Sequence, residues 1–235
     1  MKKLLRTILK IVLGLVGILL LAFVVLKLLY NEDLPQGETG ESADELAYNI
    51  LEAINHNKFR EVKEIHWTFR GVNQYKWQLQ DNVVEVSWED YRVVYQTKNK
   101  SESKAYLNNQ LLNAKAREEA LTYAMNNFNN DSFWLIAPHK LFDPGTMRTL
   151  VEEDGKKKLL VQYTSGGSTP GDAYLWEVDK NYRPVAFKMW VSIIPFDGLE
   201  AKWQNWKMTD GGFPLPSSRS IWSLEIPISD VKVVK

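Results

Sequence analysis

The sequence predicts a mainly β, α+β protein: a large, strongly curved antiparallel sheet of ten or eleven strands with two helical insertions, preceded by one membrane-spanning helix. Three observations predict it. Residues 11–26 are the only long uncharged apolar run. Aromatic and β-branched residues then alternate at period two through successive segments, and the breaks between those segments are short enough for antiparallel neighbours.

The apolar run covers about 24 Å at 1.5 Å per residue, and residues 4–30 exceed the roughly 30 Å hydrocarbon thickness if Lys10 and Lys27 snorkel. Lys2, Lys3, Arg6 and Lys10 lie at or before its start. Glu32, Asp33, Glu38, Glu41, Asp44, Glu45 and Glu52 follow it, so the basic bias favours an N-in, C-out orientation. The alternative is a cleaved signal peptide, but the stretch is long for one and no small-x-small site appears near Leu28-Leu29-Tyr30. Residues 1–30 are therefore expected to be an inner-membrane anchor, with the remainder in the periplasm. The absence of cysteine excludes a lipidated N-terminal Cys, a disulfide framework and thiol chemistry.

Residues 31–42 (NEDLPQGETGES) are acidic and punctuated by Pro35, Gly37 and Gly40, which predicts a flexible linker. Ser42 and Glu45 have capping-box spacing, and Leu46, Ile50, Leu51 and Ile54 share a face, which predicts an amphipathic helix over 43–56. Strand faces follow: Ile65, Trp67 and Phe69; Tyr75, Trp77 and Leu79; Val84, Val86 and Trp88; Tyr91, Val93 and Tyr95. Residues 98–113 are polar and have no clear pattern. A second helix is predicted over 114–128, ended by the Asn-rich run, with a loop over 132–145.

A second set of strands comprises 147–153 and 157–164 around Asp154-Gly155, then 173–178 and 184–192, then 199–208, 217–224 and 228–234. Together these segments form a single domain over 43–235. Residues 31–235 carry 24 basic against 29 acidic side chains, no footprint for nucleic acid.

His56, His66 and His139 form no metal motif and read as surface or edge positions; no cofactor is expected. Ser132, His139 and Asp143 lack the glycine elbow of a nucleophilic serine. The glycine-rich stretch 165–172 has no Walker lysine and reads as a hairpin loop in which Asp172 bonds backbone. What remains is the aromatic stripe. Tyr174, Trp176, Phe187 and Met189 extend it to the second set of strands, and each of these rings suits either core packing or an amphiphile pocket. Trp67, Phe69, Tyr75, Trp77, Trp88, Trp134, Trp176 and Trp190 are the candidate ligand contacts. Trp134 is a loop residue in this reading and Trp190 faces away from Phe187. Trp203 and Trp206 share no face of a regular strand, which predicts a bulge or a rim position there.

Asp131-Ser-Phe-Trp-Leu-Ile-Ala-Pro-His-Lys-Leu-Phe-Asp-Pro-Gly, Pro170-Gly-Asp-Ala-Tyr-Leu-Trp-Glu-Val-Asp, and Trp203-Gln-Asn-Trp-Lys followed by Gly211-Gly212 resemble a family of uncharacterised bacterial envelope proteins. That family is similar in architecture to the lipoprotein-carrier superfamily of LolA, LolB and related lipid-binding and sensor domains. The resemblance implies a half-barrel of about eleven antiparallel strands over roughly 43–235, with helices covering an apolar concave face. It implies no catalytic motif. The carriers are released or lipid-held, whereas this chain keeps a protein anchor, which shifts the expectation from carrier to receptor, sensor or accessory subunit. The expected function is non-enzymatic binding of a lipid or lipidated peptide. The alternatives are an envelope protein-interaction module with a filled core, and a hydrolase acting on envelope glycan or lipid.

Overall fold

The computed structural model describes residues 2–165 and 169–235, with side chains from Leu5 onward. Helix α1, Lys2–Tyr30, has 29 residues. Its stretch Leu5–Tyr30 is long and apolar enough to cross a membrane, and none of it is buried against the rest of the chain.

The segment predicted to be flexible makes ordered contacts. Glu38–Thr39 (β1) pairs antiparallel with the later strand Thr146–Glu153 (β8), Glu38 opposite Leu150. Main-chain pairing with a sheet edge needs no apolar side chains, so composition did not reveal it. Gly37 sits so close that an added Cβ would lie 2.1 Å from the Leu150 carbonyl oxygen.

Helix α2, Glu41–Ala53, starts from Gly40 at φ 116°. Ser42 is thus inside the helix and caps nothing, a correction to the expected capping box; the glycine supplies the entry turn, and Glu41 and Asp44 complement the helix dipole. Its buried face is Ala43, Leu46, Ala47 and Ile50. A short helix α3, His56–Arg60, follows.

The first meander is β2 (Glu64–Phe69), β3 (Asn73–Gln78), β4 (Val83–Trp88) and β5 (Tyr91–Gln96), with the alternating burial that the period-two pattern predicts. Two further strands, β6 (Lys104–Leu107) and β7 (Gln110–Leu111), come from the segment that had no clear pattern. Asn108 and Asn109 both have positive φ, as a two-residue hairpin requires. Helix α4 runs Ala114–Ile136, eight residues beyond its expected end, and is capped by the Asn113 side chain accepting from Ala116 N at 3.2 Å. Burial of Phe128, Trp134, Leu135 and Ile136 overrides the weak helix propensity of the Asn-rich run. Trp134 is therefore helical and buried, not a loop residue.

The second meander is β8 (Thr146–Glu153), β9 (Lys156–Tyr163), β10 (Ala173–Val178), β11 (Pro184–Trp190), β12 (Leu199–Met208), β13 (Pro214–Ile221) and β14 (Leu224–Glu225); β15 (Ile228–Val234) then ends the chain. Residues 166–168 of the expected glycine-rich loop lie outside the described residues.

The strands form two antiparallel sheets rather than one curled sheet. The eight-stranded sheet has order β1-β8-β9-β10-β11-β12-β13-β14, and the seven-stranded sheet β15-β2-β3-β4-β5-β6-β7. Neither closes into a barrel. The fold is mainly β with helices, as predicted, and the excess over ten or eleven strands includes three two-residue strands. A single core joins the inner faces of both sheets to α2 and α4. A smaller cluster, Val151, Leu160, Ala173 and Leu175, lies on the other face of the eight-stranded sheet with Trp190 against it.

Candidate functional site

The two sheets are not filled equally. On the seven-stranded sheet, Trp67 stacks on Tyr75 at 4.4 Å, and Trp77 meets Phe128 of α4 edge-on at 5.2 Å. Trp88 stacks on Tyr91 at 5.0 Å and packs against Tyr123 of α4 at 4.4 Å. Trp67, Phe69 and Tyr75 are buried. Helix α4 covers this face, so most of the expected ligand contacts here pack against protein.

The end of α4 is fixed by Asp131, which the sequence analysis did not single out. Its carboxylate accepts from Tyr75 Oη at 2.5 Å, Asn73 Nδ2 at 3.2 Å and Asn130 Nδ2 at 2.8 Å. Burial raises its pKa and these donors oppose the rise. Being one residue from Asn130 and Ser132, this buried clamp holds the neighbouring turn of α4 over the second sheet.

There the packing opens. A cavity of about 600 Å³ lies between α4 and the inner face of the eight-stranded sheet. Its apolar wall is Phe133, Tyr163, Tyr174, Phe187 and Met189, continued by Val191 and Ile194. Tyr163, Tyr174 and Phe187 project inward from consecutive strands, because period two places Tyr174 and Trp176 on one side of β10 and Leu175 on the other. Phe133 stands over them, 4.3 Å from the Tyr174 ring and 5.8 Å from the Tyr163 ring. Trp134 meets Phe187 at 5.6 Å.

The lining also has polar members: Asn127, Asn130, Ser132, Lys140, Asp143, Ser165, Thr169 and Asp172. Lys140 pairs with Asp143. Asp172 is buried and accepts from Thr169 Oγ1 at 2.5 Å and from Ser192 N at 3.2 Å, so it ties the loop before β10 to the segment after β11. Inside its own loop its partner is thus a side chain and not the expected backbone group; the backbone group it accepts from belongs to a second loop. Burial drives the Tyr163 and Tyr174 hydroxyls well above their ordinary pKa, so both remain neutral donors.

Of the eight expected contacts, Trp77 and Trp134 line this cavity and the other six do not. Trp176 is fully buried beneath Phe187, 4.8 Å away, and 5.3 Å from Trp203. Trp190 lies on the opposite face of its strand and donates its indole N–H to Glu32 O at 2.8 Å. Its explanation is the docking of the segment that leaves α1. The expected bulge near Trp203 and Trp206 is a positive φ at Asn205 without a shift in register, and it brings the two indoles within 6.0 Å.

The histidines also differ from expectation. His139 is buried, stacked on Phe59 at 4.2 Å, with its Nδ1 3.2 Å from His56 Nδ1. Folding joins residues whose sequence separation of 83 had suggested independence. Ser132, by contrast, bonds the Asn129 carbonyl at 3.4 Å and Asp143 pairs with Lys140, so these three do not form a relay. Among the described residues no group of three or more His, Cys, Asp or Glu is placed to hold a metal.

No protein-family model matches the chain. No curated protein matches it. Among solved structures, the crystal structure of a DUF1329 family protein from Desulfovibrio piger is similar with a TM-score of 0.43 at 8% identity, covering 83% of this chain and 94% of that chain.

Proposed function

We propose that this chain is a membrane-anchored, non-enzymatic binding protein for an amphiphile, a lipid or lipidated peptide, whose acyl portion occupies the cavity between α4 and the eight-stranded sheet. The observation that carries the reading is the cavity itself. Its volume falls within the roughly 300–1,000 Å³ range of small-molecule sites, and its lining combines aromatic rings with amide, hydroxyl and charged groups. Burial of the acyl chain against Phe133, Tyr174 and Phe187 supplies affinity, and the polar groups orient the head group. The reading assigns no acid-base or nucleophilic role.

The anchor is α1. Lys2, Lys3, Arg6 and Lys10 at its start and the acidic segment after it support a single pass with the domain on the periplasmic side of the inner membrane. Native mass spectrometry of the full chain, released from membranes in mild detergent, tests the binding. A bound lipid or lipopeptide is expected; a bare chain under conditions that keep a reference lipid-binding protein loaded would contradict it.

A second reading, an envelope interaction or sensor module, is favoured by the dense packing of Trp67, Tyr75, Trp77 and Phe128. It predicts a co-purifying protein and no lipid.

A further inference from the structure

The loop 191–198 (VSIIPFDG) between β11 and β12 lies against the end of α1. Asn31 and Asp197 exchange two hydrogen bonds, from Asn31 Nδ2 to Asp197 Oδ2 at 2.9 Å and from Asp197 N to Asn31 Oδ1 at 2.8 Å. Glu32 N donates to Asp197 O at 3.0 Å, and Lys188 Nζ reaches Glu32 Oε2 at 2.6 Å. This clamp places Phe196 beside Phe23, ring centroids 5.8 Å apart.

The position of Phe23 gives the depth. It lies four residues before Lys27, so about 6 Å further into the apolar stretch at 1.5 Å per residue. With the Lys27 ammonium at head-group level, Phe196 is close to the boundary between head groups and acyl chains, where interfacial apolar residues insert. Ile193 in the same loop is 67% exposed and also borders the larger cavity. A second cavity of about 490 Å³ lies beside this loop, bounded by Lys27, Trp190, Pro195 and Asp197. It shares Asp172, Val191 and Ile194 with the larger one. The two hollows therefore share a wall formed by Asp172, Val191 and Ile194, and the smaller one adjoins α1 at Lys27.

We infer that loop 191–198 is inserted in the bilayer leaflet on the domain's side and forms a lateral entrance through which the cavity receives lipid directly from the membrane. The insertion rests on the α1 contacts and on α1 being the membrane anchor proposed above, and the entrance rests in addition on the lipid-binding reading. Without any native cysteine, the chain accepts one label per variant. The full chain carrying an environment-sensitive fluorophore at Ile193→Cys or Phe196→Cys is reconstituted in phosphatidylcholine–phosphatidylglycerol vesicles. Tyr182→Cys, in the turn at the far end of the β10–β11 hairpin, is the control.

Spin-labelled lipid with its nitroxide near the head group is expected to quench the two loop labels at least two-fold and leave the control unchanged. Loop labels quenched by aqueous iodide and untouched by the lipid would overturn the insertion. The entrance is tested with Phe196→Asp, a loop position that meets Phe23 and lines neither cavity. Uptake of a fluorescent phospholipid from vesicles is expected to slow at least five-fold while uptake from detergent micelles is unchanged. Equal rates from vesicles for this variant and the wild type would overturn the entrance. If wild type takes up lipid from neither source, the binding reading fails and the entrance with it, while quenching still decides the insertion.

Discussion

At the scale of single residues, buried polar groups set the observable chemistry. Nδ1 of His139 and Nδ1 of His56 face each other, so one must donate and the other accept. With His139 Nε2 buried and unpartnered, the cheaper tautomer has His139 donate from Nδ1 and keep a bare nitrogen in the apolar setting. Both pKa values are depressed, for His139 by burial and then the neighbouring His56, for His56 by burial and then Arg60. The folded chain thus binds fewer protons than the unfolded one below about pH 6.5, and stability rises with pH there. The pair's contribution is full above the unfolded value and is lost as pH falls beneath it. His139→Phe keeps the stack on Phe59 and is expected to shrink the Tm difference between pH 7.5 and 5.0; an unchanged difference would refute the role. Asp131 provides a second test. Tyr75→Phe removes one donor from a buried carboxylate and is expected to cost about 1–3 kcal/mol in chemical denaturation of the full chain in detergent. Neither group stood out in the sequence: a lone His and a lone Asp acquire meaning only from partners that folding brings from 83 and 56 residues away.

At the scale of elements, alternation made β2 to β5 legible, because one face of each is buried and period two leaves a clear trace, whereas β8 to β11 bury residues on both faces and were marked by turn signals such as Asp154-Gly155. Elements held by backbone bonding or by tertiary packing were not legible. The hairpin β6–β7 has little apolar pattern, though Asn108-Asn109 carried a turn signal. The last turns of α4 contain four asparagines between 126 and 130, a run whose local preference opposes a helix, and packing of Trp134 to Ile136 decides the matter. Strand β13 begins with Pro214 and Pro216, tolerable because only β12 pairs with that end. The segment after α1 is held by β1, by Trp190 and by the Asn31–Asp197 exchange, all of them polar or main-chain contacts. Gly37→Ala would push a Cβ into the Leu150 carbonyl. Faster hydrogen exchange confined to residues 31–39 is expected, with the Tm nearly unchanged; protection equal to wild type would show that the seat is dispensable.

At the scale of the whole molecule, two sheets share one core, but α4 seals the first and only roofs the second. The aromatic load therefore divides by task. Trp67, Phe69, Tyr75, Trp88 and Trp176 build the scaffold, and Trp190 docks the exit of α1. Trp77 and Trp134 border the hollow with Phe133, Tyr163, Tyr174 and Phe187. The sequence made aromatic faces visible, yet core and cavity wall have the same composition, and only the position of α4 separates them. Only a wall of Asp172, Val191 and Ile194 separates this hollow from the smaller one beside α1, where the proposed entrance lies. The most direct test of this account is an equilibrium titration of delipidated full chain in lipid-free detergent with a fluorescent acyl probe. Saturable binding at one site is expected, weakened at least ten-fold in Ile194→Trp, which narrows the cavity, and unchanged in Trp88→Phe, which does not line the cavity. Binding that fails to saturate, or that is equally strong in Ile194→Trp, would contradict it.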